Sequence, residues 1–354
     1  MKIKSTILIL SLSSAMSLYA DNATNTIPIL SPGFGITLTG LWLQPGASGN
    51  NLTYAIRTEA LPLPAPNWEQ QQVDPGYTPT FDLGLQYTMA DGVDQVKLDW
   101  LYLNNNSSAF ASGTDVNNSI APPFNFGPLA QISGLTGSSE VHFQMNTVNL
   151  VLEHFIDLTS HIQIGLFGGI NTAYLKEGIT DTYTGKSGTG SPPTAPYSIT
   201  TYNTSEFTGI GPRLGLDATY FLTPHFGILA EMAGSLLLGS MESKTNFYAY
   251  SAISGGNNSG VNTQLANQSQ AAVVPEVDSK LGFTYSIPIN NAKSTLTMQA
   301  GYMFAVYING INQVVPTSLV PNAFNNGTIA IETDSQESSD LDLNGPYASL
   351  TYTF

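Results

Sequence analysis

Apolar and polar residues alternate one by one along most of this chain, in segments of about ten residues. Almost nowhere do apolar positions recur at the 3.6-residue spacing of a helix. At 80–89, Phe81, Leu83, Leu85, Tyr87 and Met89 alternate with Thr80, Asp82, Gly84, Gln86 and Thr88. At 93–103, Val96, Leu98, Trp100 and Tyr102 alternate with Lys97, Asp99, Leu101 and Leu103. At 273–286, Val277, Leu281, Phe283 and Tyr285 oppose Glu276, Asp278, Lys280 and Thr284. At 295–308, Leu296, Met298, Ala300, Tyr302, Phe304 and Val306 oppose Thr295, Thr297, Gln299 and Gly301. Weaker copies lie at 34–43, 143–155, 162–174, 207–221, 226–238 and 341–354, which makes ten two-faced strands. Ten residues is the length a tilted strand needs to cross a bilayer, but a soluble sandwich alternates in the same way.

The connections separate these two folds. Long gaps (44–79, 104–142, 175–206, 239–272, 309–340) alternate strictly with short ones (90–92, 156–161, 222–225, 287–294). An outer-membrane barrel needs this segregation, with short turns in the periplasm, long loops outside and an even strand count. The long gaps are rich in Asn, Ser, Gly and Pro, as solvated loops are. The expected fold is therefore all-β: a single transmembrane antiparallel barrel of about ten strands. Twelve is the alternative if a long loop hides another hairpin.

Both chain ends fit this fold. Lys2 and Lys4 precede the apolar run Ile7–Leu12, and Ala20 offers a cleavage site, so 1–20 reads as a cleaved signal peptide and 21–354 as one barrel domain. The last strand alternates Ala348, Leu350, Tyr352 and Phe354 with Ser349, Thr351 and Thr353. An amphipathic strand ending in Phe resembles the signal read by the barrel assembly machinery, which makes Tyr352 and Phe354 the assembly signal. Aromatic girdles are expected from Phe34, Tyr87, Phe155, Tyr220, Tyr285, Tyr352 and Phe354 at the periplasmic rim, and from Trp42, Trp100, Tyr102 and Phe143 at the outer rim.

Composition narrows the function. Only 10% of residues are charged, against roughly 25% in a typical soluble domain. The formal net charge is −15, which argues against nucleic acid as a partner. Without the two leader lysines, 8 basic residues face 25 acidic ones, a net −17. There is no cysteine, so a disulfide framework, a thiolate metal site and a cysteine nucleophile are excluded.

Several stretches resemble the Legionella-type major outer membrane protein family of pore-forming barrels. They are Asn51-Leu52-Thr53-Tyr54-Ala55, the run Gly209-Ile210-Gly211-Pro212-Arg213-Leu214-Gly215-Leu216-Asp217, Val273-Val274-Pro275-Glu276-Val277-Asp278, Leu281-Gly282-Phe283 and Gly301-Tyr302. The resemblance implies an outer-membrane porin. Relatives can be cross-linked through cysteines; this chain has none, so any homo-oligomer forms without disulfides.

Chemistry is sparse. Of four histidines, His154, His161 and His225 fall beside periplasmic turns, and His142 lies near Glu140 at the outer rim without an Asp or Ser partner in motif spacing. Gly209-x-Gly211-x-x-x-Gly215 lacks the dinucleotide-binding spacing and reads as strand glycines that permit close packing. Asp340-x-Asp342-x-Asn344-Gly345 starts like a calcium loop but has Thr351 where the bidentate Glu belongs. No catalytic residue, cofactor or bound metal is expected. What remains is the inward face: Asp82, Lys97, Asp99, Glu153, Arg213, Asp217, Glu231, Glu276, Asp278 and Lys280, seven acids against three bases. Ionisable groups facing lipid cost roughly 2–4 kcal/mol at the midplane, so these are the pore-lining candidates. The leading expectation is a passive, cation-preferring pore for small hydrophilic solutes and ions. The alternative is a plugged structural or adhesive barrel displaying its loops, since ten strands are near the size that side chains alone fill. An outer-membrane hydrolase ranks last. Expected partners are outer-membrane lipid and lipopolysaccharide, the assembly machinery, and permeating ions.

Overall fold

The structure is a computed structural model. It describes residues 26–28, 31–58, 68–113, 119–123, 133–187, 195–251, 259–289, 294–319 and 331–354. The expected signal peptide lies outside the described residues. Ten strands form a closed barrel: β1 (Gly33–Ala47), β4 (Thr78–Thr88), β5 (Asp94–Ser112), β7 (Ser133–Asp157), β8 (Ile162–Ser187), β9 (Ala195–Phe221), β10 (Phe226–Ser251), β11 (Ser259–Ile289), β12 (Ser294–Leu319) and β13 (Ile331–Thr353). Each pairs antiparallel with its neighbours in chain order, and β1 closes the ring against β13. At the seam the backbones of Phe34 and Phe354 exchange hydrogen bonds of 3.1 and 2.8 Å. Closure leaves no strand edge to be satisfied by lipid.

The ten barrel strands coincide with the ten alternating segments, and the ten ionisable groups read as inward do face the interior. Four of the five long gaps, however, are mostly strand. β7 to β13 run 23–31 residues each, about twice a bilayer crossing. The reason is an inversion of the alternation. In the lower half apolar residues point out and polar ones in: Leu166 and Ile170 of β8 are exposed, and Asn171 is buried. Above Tyr174 the same strand turns Lys176, Gly178, Thr180 and Thr182 outward, and Leu175, Ile179 and Tyr183 inward. Side-chain direction never changes; only the solvent does. Below, the outside is lipid. Above, the outside is water, and the barrel carries its apolar core inside as a soluble barrel would.

Three further strands form a separate sheet in the order β3 (Trp68–Gln72), β2 (Thr53–Thr58), β6 (Ser119–Ala121). The first long gap thus does hide a hairpin, β2–β3, but it caps the barrel and does not widen it to twelve. Leu52, Tyr54, Ala55, Val73 and Ile120 of this cap join the interior core.

Two girdle assignments are corrected. Phe143 is fully buried inside the upper barrel, and Phe155 turns inward with its ring 5.8 Å from Lys97 Nζ. Both have odd numbers on a strand whose even positions face out, and Leu150 and Leu152 hold the lipid side there. At the periplasmic rim Phe34 packs tilted against Tyr87 (4.8 Å), and Tyr352 stacks near Phe354 (5.9 Å). The Gly209–Gly215 run packs as expected: a Cβ on Gly211 would overlap the Leu236 carbonyl of β10.

Candidate functional site

The barrel interior has three levels, and the lowest is charged. Asp82 and Asp99 descend from β4 and β5 with Lys97; Arg213 and Asp217 come from β9, Glu231 from β10, and Glu276, Asp278 and Lys280 from β11. Together these nine line a chamber of about 200 Å³. Glu153, the tenth residue of the inward set, is fully buried below it and pairs with Lys97. Cross-strand register makes the pairs: Glu231 lies opposite Lys280, and Ser235 opposite both Glu276 and Arg213. Lys280 Nζ is 3.4 Å from Glu231 Oε1. Arg213 Nη1 bridges two acids, 2.7 Å from Asp278 Oδ2 and 3.3 Å from Glu276 Oε2. Glu276 also accepts from Asn171 Nδ2 (2.5 Å) and Tyr307 Oη (3.1 Å). Each of the three cations is thus paired with an acid, Arg213 with two, and the surplus is negative.

The middle level is dry. Leu43, Phe207, Leu237, Val274 and Leu343 point inward from five strands, and each is 0% exposed. Leu41, Leu103, Phe143, Met145, Leu175 and Tyr307 complete the layer. The contrast within β1 fixes the direction: Trp42 is 56% exposed and its neighbour Leu43 is not exposed at all. β12 adds to the closure. It pairs with β11 only up to Tyr307, and its register against β13 shifts between Tyr307 and Ile311. Asn309 there has φ of 54°. Beyond this bulge the strand leans across the lumen. Asn312 N–H donates to Ser205 Oγ on β9 (2.9 Å), Thr245 Oγ1 on β10 donates to the Val314 carbonyl (2.6 Å), and Gln313 Nε2 donates to Glu177 Oε2 on β8 (2.9 Å).

The upper level is the seat of the cap. Tyr183 Oη donates to the Tyr54 carbonyl, at 2.5 Å, and Asn51 Nδ2 donates to Glu177 Oε2, at 3.3 Å. A second chamber of about 200 Å³ lies between cap and wall, with Asp181, Thr201 and Gln313 among its lining. Glu177 and Asp181 stand above the lipid-facing belt. Burial pushes both carboxyls up, each to about 7. The sequence reading missed this pair because 175–206 read as a loop. The signal was present, in the alternation of Leu175, Glu177, Ile179, Asp181 and Tyr183 with neutral or basic neighbours.

The histidines hold turns together. His161 Nδ1 lies 2.9 Å from the Phe221 carbonyl, His225 Nδ1 2.9 Å from the Ser286 carbonyl, and His154 Nδ1 2.7 Å from Asp94 Oδ1. His142 is bonded to Asn106 Oδ1 at 2.7 Å. Among the described residues no three His, Asp or Glu side chains converge as a metal site.

The family model described as Legionella pneumophila major outer membrane protein precursor matches residues 26–354. No curated protein matches the chain. Among solved structures, it is similar to the outer membrane protease OmpT from Escherichia coli, at 12% identity over 91% of this chain and 97% of that one, with a TM-score of 0.41. It is also similar to the Pseudomonas putida toluene transporter TodX, at 8% identity over 91% and 90%, TM-score 0.27, and to a Pseudomonas aeruginosa FadL homologue, at 9% over 92% and 90%, TM-score 0.25. Likenesses this distant say nothing about activity.

Proposed function

Since this chain belongs to the Legionella major outer membrane protein family, and is thus an outer-membrane β-barrel, we propose that it is a non-enzymatic surface barrel that rests closed and presents its extracellular sheet extension to the cell's surroundings. The observation that carries this reading is the dry layer. Five inward side chains on five different strands have no solvent contact, and β12 hydrogen-bonds across the lumen directly above them. A hydrated ion meeting that layer loses its shell without any polar replacement, the condition under which a hydrophobic constriction stops conduction. Structural or adhesive display therefore fits the interior better than constitutive diffusion.

A second reading, a porin with a gate, is favoured by one feature. The charged chamber is polar, net acidic and large enough to hold water. On this reading the β12 stretch and the cap are the moving parts, and the lower acids bias the open pore toward cations.

Planar-bilayer recording with the purified protein tests the proposal. The closed barrel gives no steady conductance at neutral pH. Steady, cation-selective conductance overturns it in favour of the porin, and a reversal potential that moves toward zero when Glu276 and Asp278 become Gln and Asn would locate the selectivity in the lower chamber.

A further inference from the structure

The chamber under the cap has a chemistry that the closed-barrel reading does not use. Its floor is built by cross-strand register. Asp181 of β8 lies opposite Ser139 of β7 and Thr201 of β9, and Asn203 lies opposite Ile179 and Thr245. Neighbours so paired have Cβ atoms about 5 Å apart on one face. Thr201 is 2% exposed and Asp181 6%; the Ser139 and Thr201 hydroxyls lie against the Asp181 carboxyl, but Asp181 Oδ1 and Thr201 Oγ1 close no hydrogen bond of ordinary geometry. Asn203 Oδ1 and Asn51 Oδ1 are also unpartnered. Buried polar groups in folded proteins are seldom left so, and each costs about 1–3 kcal/mol if nothing arrives to satisfy it.

What is unsatisfied is specific. Most of these atoms are pure acceptors. Three of the amides that line it donate elsewhere: Asn51 and Gln313 to Glu177, and Gln70 to Asn50. Among the described residues no Lys, Arg or His lines the chamber, while Asp181 and Glu337 do. Such a lining suits positive charge or a group rich in donors. Among the described residues no aromatic side chain lines it, so a sugar ring finds no face to stack on there. About 200 Å³ is far more than a bare ion needs and enough for several waters at about 30 Å³ each. One buried carboxylate among neutral oxygen ligands suits an ion that keeps most of its water shell, as Mg²⁺ commonly does.

We propose that the chamber between the cap sheet and the β8–β9 wall binds a hydrated divalent cation of the Mg²⁺/Ca²⁺ class, held by Asp181, Thr201 and Asn203 from the wall and Asn51 from the cap. The ion ties cap to barrel, because its ligands belong to both. This holds whether or not the barrel conducts.

The test uses the full mature chain refolded in detergent at pH 8 and titrated calorimetrically with Ca²⁺ or Mg²⁺ alone. One saturable site is expected, with a dissociation constant of about 10⁻⁴–10⁻³ M, the range of weak extracellular calcium modules. Asp181→Asn lowers affinity at least tenfold and Thr201→Val lowers it several-fold, while Glu140→Gln, on the outward face, leaves it unchanged. Heat-modifiability on gels reports that each variant is a folded barrel, and Asn203→Ala stands in if Asp181→Asn does not fold. The absence of saturable binding up to 10-fold above that range overturns the proposal. So does equal binding in the Asp181 and Thr201 variants, or saturable binding of a neutral monosaccharide in place of the cation.

Discussion

Replacing Arg213 by methionine keeps most of the side-chain volume and removes one charge from the centre of the lower chamber. That guanidinium sits 2.7 Å from Asp278 and 3.3 Å from Glu276, and its side chain is 7% exposed. Taking one partner out of a buried ion pair costs roughly 3–5 kcal/mol, chiefly because the other charge stays buried and unpaired. Here two acids are orphaned, but both border the chamber, where water reaches them, and Glu276 keeps its bonds from Asn171 and Tyr307. These supports reduce the expected loss to about 2–4 kcal/mol. With a urea dependence of about 2–3 kcal/mol per molar, the unfolding midpoint of the refolded barrel should fall by about 1 M or more. Neutralising the acids as well, in Arg213→Met with Glu276→Gln and Asp278→Asn, should return the midpoint to within about 1.5 kcal/mol of the parent, because no charge is then left unpaired. A single variant as stable as the parent would refute the network as drawn. So would a triple variant no better than the single one, since the loss would then come from shape and not from orphaned charge.

Other outcomes follow from the same geometry. Trimming the dry layer with Leu43→Ala, Leu237→Ala and Ile311→Ala together should turn a silent barrel into one with measurable bilayer conductance; continued silence would move the block elsewhere. Removing Phe354 should lower the yield of heat-modifiable barrel in cells, because it takes away the seam bonds to Phe34 and the final aromatic of the assembly strand, while barrels that do form behave as the parent. Because the chain has no cysteine, single cysteines report topology without background: Gln70→Cys should be labelled on intact cells, and Asp91→Cys in the β4–β5 turn only after permeabilisation. Glu177 rises from 4.5, and Asp181 from 3.8, to about 7 on burial, so their protonated forms favour the folded state. Stability from this pair is fully present below about pH 4 and is lost as pH rises through 7, with an upper bound on the order of 4 kcal/mol per group. Urea midpoints at pH 5 and 8.5 should differ in the parent and converge in Glu177→Gln with Asp181→Asn.

The lower half of this barrel was legible because lipid and lumen demand opposite things of successive residues. Phe81, Leu83 and Leu85 against Asp82 and Gln86 leave no choice of face, and the ten inward ionisable groups follow from parity alone. The upper half was not legible, for a physical reason. Once a strand clears the bilayer its outer face meets water, so Thr180, Thr182 and Lys176 look like loop residues although they occupy regular strand positions. Asn, Ser and Thr on an exposed strand face are indistinguishable by composition from a solvated loop, and the period-2 signal weakens when the inward partner is itself Glu177 or Asp181. Phe143 was misplaced on the same ground: an aromatic at the end of an alternating run was assigned to the girdle, when the run had already passed into the soluble-like core. The inversion also bears on function. A continuous pore needs polar inward residues at every level; in this chain the charged set reaches only to Asp82, Arg213 and Asp278, and polar inward groups such as Glu177, Asp181 and Thr201 return only above the apolar layer, under the cap. From Leu41, Phe207 and Leu343 upward it spends its inward positions on a core, and it adds Tyr54 and Ile120 from the cap to finish it. A strand set built only to conduct would have no use for that core. A strand set built to hold a rigid surface above the membrane requires one.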